Sequence, residues 1–147
     1  GAFSFYAPKL YRFYEKNMNL LFKSNACLHK NFWRGVFPAA SFNCSGQAFT
    51  ICYTNSLNLS YGLCAVWAGG SYDPKQGGHL ILFELGLVVE FSPGATIFIP
   101  SSIVSHGNIP IQEGETWVSF TQYCAGGLIQ WIQHALRRPA RTLAPQI

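Results

Sequence analysis

Residues 77–99 read GGHLILFELGLVVEFSPGATIFI. Gly77-Gly78 opens the stretch, and Ser92-Pro93-Gly94 breaks it again. Between the breaks lie three short runs, 79–84, 87–91 and 96–99, dense in Leu, Ile, Val and Phe. Short apolar runs bounded by Gly, Pro and Ser are the signature of strands. The rhythm extends outward in both directions. Runs at 36–43, 48–53, 57–67 and 116–123 have the same character. Turn residues separate them at Ser45-Gly46, Ala68-Gly69-Gly70, Asp73-Pro74 and Gln112-Glu113-Gly114. Seven or so short strands at this spacing predict a mainly β chain: a sandwich, jelly roll or barrel.

Both flanks change period. Leu10, Tyr14, Met18, Leu21 and Phe22 recur at helical spacing, with Lys9, Arg12, Lys16 and Lys23 mostly on another face. Pro8 suits an early helix position. Leu128, Ile129, Ile132, Ala135 and Leu136 predict a second, shorter helix, and Pro139 and Pro145 argue against any further element. There is no internal repeat. The expected organisation is one domain over 1–147: a helical part at 1–35, the β-barrel at 36–124, a helix at 128–137 and a loose tail at 138–147. A start at Gly1 rather than Met suggests a processed or excised piece.

Composition narrows the class. The chain has 147 residues, 49% of them apolar, 16% aromatic and only 11% charged. So few charges beside so many aromatics exclude a disordered chain. No uncharged apolar run reaches membrane-spanning length, and no signal-peptide layout opens the chain. The net charge of +4 is segregated. Residues 1–34 hold six Lys/Arg and one acid, and residues 35–134 hold one Lys and five acids. Three Arg lie in residues 135–147. Basic ends suit nucleic acid or an acidic partner, or simply a solvated helix face and tail. Five cysteines, Cys27, Cys44, Cys52, Cys64 and Cys124, form no CxxC pair, and four lie in strand-like segments. That pattern predicts reduced, buried thiols in an intracellular, nuclear or cytoplasmic protein.

Few groups could carry chemistry. The strand region offers Asp73, Glu84, Glu90, Glu113, Glu115, His79 and His106. Most of the acids sit in turns or alternate toward solvent, and nothing marks a working carboxylate pair. The four histidines show no metal-ligand spacing, and no GxGxxG, Walker or GxSxG motif occurs.

Three blocks nonetheless resemble a known family. They are Asp73-Pro74-Lys75-Gln76-Gly77-Gly78-His79-Leu80-Ile81-Leu82, then Phe91-Ser92-Pro93-Gly94-Ala95-Thr96-Ile97-Phe98-Ile99-Pro100-Ser101-Ser102, then Thr121-Gln122-Tyr123-Cys124-Ala125-Gly126-Gly127-Leu128. With Ala7-Pro8-Lys9-Leu10-Tyr11 and Phe37-Pro38-Ala39-Ala40-Ser41-Phe42-Asn43, they resemble the fungal, mushroom-type relatives of the TET and J-binding-protein oxygenases. The resemblance implies a double-stranded β-helix, a jelly-roll or cupin-like barrel, with an N-terminal and a short C-terminal helix. Active members oxidise methylated nucleic-acid bases with Fe(II) and 2-oxoglutarate. A His-x-Asp pair and a late His hold the iron, and an Arg clamps the cosubstrate.

Carried over by position, the late His falls on His106. The His-x-Asp pair falls on Tyr53 and Asn55, and the Arg on Trp117. Only one metal-ligand position is retained, so neither a metal nor a cofactor is expected. The predicted reading is a catalytically degenerate oxygenase-fold protein acting as a binding or structural module. Its vacated pocket would comprise Tyr53, Asn55, His79, His106 and Trp117, with His79 near the barrel mouth. The ligand would be a small molecule or a protein. Spare apolar surface would allow a homo-oligomer. Two alternatives stand beside this reading. One is an Fe(II)/2-oxoglutarate dioxygenase of methylated bases, working through these or altered ligands. The other is a non-catalytic nucleic-acid binder using the basic termini.

Overall fold

The computed structural model describes residues 1–46 and 49–135. Two helices open the chain, α1 (Ala2–Tyr6) and α2 (Pro8–Ser24). Pro8 stands in the first turn of α2, where its missing N–H has no helical partner to lose. The stripe read from the sequence turns inward, burying Tyr14, Met18 and Leu21. Asn17 shares that face and satisfies its amide on the Phe13 carbonyl at 2.8 Å.

Among the described residues seven strands follow: β1 (Ala39–Asn43), β2 (Cys64–Ser71), β3 (Leu80–Leu82), β4 (Leu87–Val89), β5 (Thr96–Ile99), β6 (His106–Asn108) and β7 (Thr116–Tyr123). Helix α3 (Gly126–Ala135) closes the described chain. All pairings are antiparallel. One sheet has the order β1-β7-β2-β5, the other β4-β3-β6. The smaller sheet gains an irregular margin from residues 50–53. Asn108 donates its amide to the Thr50 carbonyl at 3.0 Å, and Tyr53 bridges to His106. Gly107 permits that approach, because a Cβ there would collide with the carbonyl oxygens of Ile51 and Thr50.

The large sheet is covered on both faces. One core cluster, including Tyr14, Met18, Phe37, Ala65, Ile129 and Ile132, lies between the helices and the sheet. The other, with Cys64, Ala68, Leu80, Leu82, Ile99 and Trp117, fills the space between the two sheets. Neighbours Cys64 and Ala65 on β2 thus point into different cores, as strand alternation requires. Tyr14 donates its hydroxyl to the Leu63 carbonyl at 3.3 Å, and burial pushes that phenol's pKa upward. The architecture is a mainly β, antiparallel sandwich of the jelly-roll kind, carrying few helices.

Several elements differ from the sequence reading. The run 57–67 becomes a strand only at Cys64. Its first half folds into turns, with Asn58 donating to the Asn55 carbonyl and Gly62 to the Leu59 carbonyl, both at 2.8 Å. The run 79–84 breaks after Leu82 into a 3-10 turn, Phe83–Leu85. Strand β6 was unforeseen, and 50–53 forms only a bridge and flanking bonds. The expectation of buried thiols also needs correction. Cys64 and Cys124 are buried, but Cys27, Cys44 and Cys52 are exposed, because they lie in connections rather than inside strands. The tail at 138–147, the end of the predicted 128–137 helix and the C-terminal arginines lie outside the described residues. Among the described residues, no helix is long and apolar enough to cross a membrane.

Candidate functional site

Strands β1 and β7 pair with Ser41 opposite Thr121 and Asn43 opposite Ser119. Alternation puts these four polar side chains on one face with Trp117, and that face looks toward the smaller sheet. The other face of the same pair carries Phe42 against Phe120, ring centroids 4.8 Å apart, with Phe42 70% exposed. The two faces of this sheet end therefore differ, one aromatic and one polar, with Ser41 and Asn43 exposed and Ser119 and Thr121 half-buried.

The polar face lines a cavity of about 170 Å³. Its floor holds Cys64, Leu80, Phe91, His106, Asn108 and Trp117, all buried. Thr50, Tyr53 and Asn55 close one side, opposite Ser41, Asn43, Ser119 and Thr121. A second cavity of about 380 Å³ shares Ser41, Tyr53, Asn55 and Thr121 with the first. It continues over Thr54, Ser56, Leu57, Asn58 and Tyr123. Among the described residues, neither lining contains an Asp, Glu, Lys or Arg.

His106 is the most enclosed polar group here, 4% exposed. Its Nδ1 lies 2.9 Å from the Val104 carbonyl, which can only accept. Nδ1 is therefore assigned the proton, and in the neutral ring Nε2 is left as an acceptor. The Tyr53 ring covers His106, centroids 4.4 Å apart and tilted by 50°. Burial raises the Tyr53 phenol pKa, and a hydrogen bond with the Asn55 side chain opposes the rise. Trp117 hangs its amide on the Gly46 carbonyl at 2.7 Å. Its indole Nε1 is buried without a well-aligned partner. It still lies near enough to Tyr72 to offset part of the upward push that burial gives that phenol. Burial also raises the Cys64 thiol, with the Ser101 hydroxyl opposing it.

Four of the five residues singled out in the sequence, Tyr53, Asn55, His106 and Trp117, line the first cavity. His79 lines neither cavity. It is half-buried, its carbonyl accepts from the Ile109 amide at 2.9 Å, and its Nδ1 is buried without a partner. The acids brace loops instead. Glu84 accepts from both the amide (2.7 Å) and the hydroxyl of Ser105, next to His106. Those bonds, the hydroxyl's first, hold its carboxyl below the usual range. Glu115 accepts from the amides of Asp73 and Gln112, both at 2.8 Å. Among the described residues, no three His, Cys, Asp or Glu side chains cluster as a metal site would require. The sequence reading missed Ser41, Asn43, Ser119 and Thr121. Their signal was the alternation of β1 and β7, where the polar residues fall on a shared face opposite Phe42 and Phe120.

No protein-family model and no curated protein matches the chain. Among solved structures, NgTET1 in complex with 5mC DNA superposes with a TM-score of 0.55 at 15% identity, covering 82% of this chain and 48% of that one. The viral collagen prolyl hydroxylase vCPH from Paramecium bursaria Chlorella virus-1, in its 2OG complex, gives a TM-score of 0.40 at 12% identity, covering 76% of this chain and 70% of that one. The chain spans about half the length of NgTET1. The likeness to NgTET1 shows a shared fold.

Proposed function

We propose that the chain is a catalytically degenerate protein of this oxygenase fold that uses its cavity to bind rather than to oxidise. It is read as one domain, with the two sheets forming a double-stranded β-helix. The topology supports this: residues 50–53 extend β4-β3-β6 so that it faces β1-β7-β2-β5 as a second four-membered layer.

The observation that carries the proposal is the donor set around His106. Fe(II) in a facial triad needs two imidazoles and a carboxylate. Here Tyr53 presents a phenol whose pKa burial raises further, so it stays protonated. Asn55 offers a neutral amide, which cannot offset the cation's charge. A 2-oxoglutarate carboxylate needs a cationic clamp, and the wall offers Trp117 instead. These residues do not fit Fe(II) or its cosubstrate. What they do form is a largely pre-shaped cleft of polar groups and aromatic walls, the usual form of a small-ligand site. Five free thiols, with no disulfide, suit a reducing compartment, and an intracellular location belongs to this reading.

The test is metal content of the purified protein, together with anaerobic calorimetry of 2-oxoglutarate in the presence of Mn(II) or Fe(II). The expected result is no stoichiometric metal and no heat. Stoichiometric metal with micromolar 2-oxoglutarate binding would restore the dioxygenase alternative.

A second reading has its own observation. Arg34 stacks its guanidinium over the exposed Trp33 ring at 4.1 Å, close in sequence to Lys30. An aromatic platform among cations suits a nucleic-acid strand. This surface would act independently of the cavity, and steeply salt-dependent binding of single-stranded DNA would reveal it.

A further inference from the structure

We propose that the cleft binds a neutral polyhydroxylated ligand, a sugar in uncharged form. The inference deepens the reading of the cavity as a binding site and rests on it. Its first support is charge. With no Asp, Glu, Lys or Arg among the described residues of either lining, none of them compensates a carboxylate, a phosphate or an ammonium taken out of water.

The second support is the array on the β1–β7 face. Ser41 and Thr121 are cross-strand partners, as are Asn43 and Ser119, so two adjacent strands present hydroxyl and amide groups as a small grid. Each hydroxyl both donates and accepts, and its proton rotates to suit. A ring of vicinal hydroxyls needs such a surface. A nucleobase needs a fixed edge pattern and an open aromatic face instead. One face of the Tyr53 ring is already taken by His106.

The third support is independent of the grid. His106 is 96% buried (4% exposed), its Nδ1 is committed to Val104, and its ring lines the cavity. In the neutral ring Nε2 is left as an acceptor, for which a ligand hydroxyl would supply the donor. The inner cavity of about 170 Å³ suits a single sugar ring. The outer one, which shares four lining residues with it, would take a second ring or an aglycone.

The experiment is an amide-proton NMR titration of the whole chain. The probes are methyl glycosides of glucose, galactose, mannose and N-acetylglucosamine, with cellobiose. Glucuronate, glucose 6-phosphate and uncharged nucleosides serve as contrasts. Saturable shifts confined to residues around Tyr53, His106, Ser119 and Thr121 are expected for at least one neutral sugar. Its charged counterpart should bind at least about tenfold more weakly. Thr121→Val and Ser119→Ala keep volume and should each weaken binding severalfold. Phe42→Ser, on the opposite face, should not. If a valine variant fails to fold, the neutral-against-charged comparison still decides. Absence of cavity shifts with every neutral sugar at tens of millimolar would overturn the proposal, as would preference for the charged forms or for nucleosides. Those outcomes leave the degenerate-fold reading standing, whereas metal and 2-oxoglutarate binding would remove that reading itself.

Discussion

Tyr53 and His106 exchange both backbone hydrogen bonds, each amide donating to the other's carbonyl at 3.0 Å. A directly opposed pair of this kind sets their side chains side by side, which is why the rings meet at 4.4 Å. Position 53 is thus held beside His106, where the proposed reading places a second ligand position.

Supplying the ligand types that the resembled family carries tests that placement. The double substitution Tyr53→His with Asn55→Asp should convert the cavity into a Co(II) site. Affinity should rise by roughly a hundredfold over the unmodified protein, with a visible d–d absorption band. Equal, weak Co(II) binding by both proteins would show that these are not the ancestral ligand positions.

The helical cover is predicted to hold the large sheet through Ile132. Its side chain is fully buried between α3 and the core that α2 supplies. Ile132→Ala should lower unfolding free energy by about 2–5 kcal/mol, the usual range for emptying such a site. Urea denaturation followed by tryptophan fluorescence measures it. A loss under about 1 kcal/mol would mean that α3 is dispensable to the core.

Glu84 gives a pH signature. Ser105 holds its carboxyl below the ordinary value, so its stabilising contribution is complete above the unfolded-state pKa. The contribution fades as pH falls through the folded-state pKa. The stability gap between the native protein and Glu84→Gln should therefore be small but present at neutral pH, and should close in acid. A gap that stays constant with pH would dissociate Glu84's charge from the Ser105 turn.

Thiol chemistry should divide the cysteines. Cys27, Cys44 and Cys52 are exposed, while Cys64 and Cys124 are buried. Burial raises both buried thiols, Cys124 to about 12, leaving almost no thiolate at neutral pH. A disulfide-exchange reagent should titrate three thiols promptly and the other two only on unfolding. Five fast thiols would show that the two cores open on the timescale of the assay.

The strands easiest to read were those whose apolar residues faced a core and whose ends carried turn residues. Strands β5 and β7 match runs 96–99 and 116–123. The helix at Pro8–Ser24 was legible because Tyr14, Met18 and Leu21 share one buried stripe. Strand β6 was not, because His106-Gly107-Asn108 has no strand-like composition and is held by neighbours on both sides. The alternating apolar residues Leu57, Leu59 and Tyr61 looked like a strand, but local bonds from Asn58 and Gly62 won. At the site, Tyr53, Asn55, His106 and Trp117 were found by position in a resembled pattern. The polar grid was missed because alternation shows which residues share a face within each strand, but not that pairing sets β1 beside β7. His79 sits on the neighbouring stretch but turns away from both cavities.

The pairing of β1 with β7 has a consequence for how the protein assembles and survives. Ser41 and Thr121 stand eighty positions apart along the chain, and the cavity wall they share forms only when the first strand meets the last. No local fragment carries that site, so an occupant recognises the completed fold alone. Its binding free energy then appears in full as resistance to global unfolding, and proteolytic lifetime becomes a direct readout of occupancy.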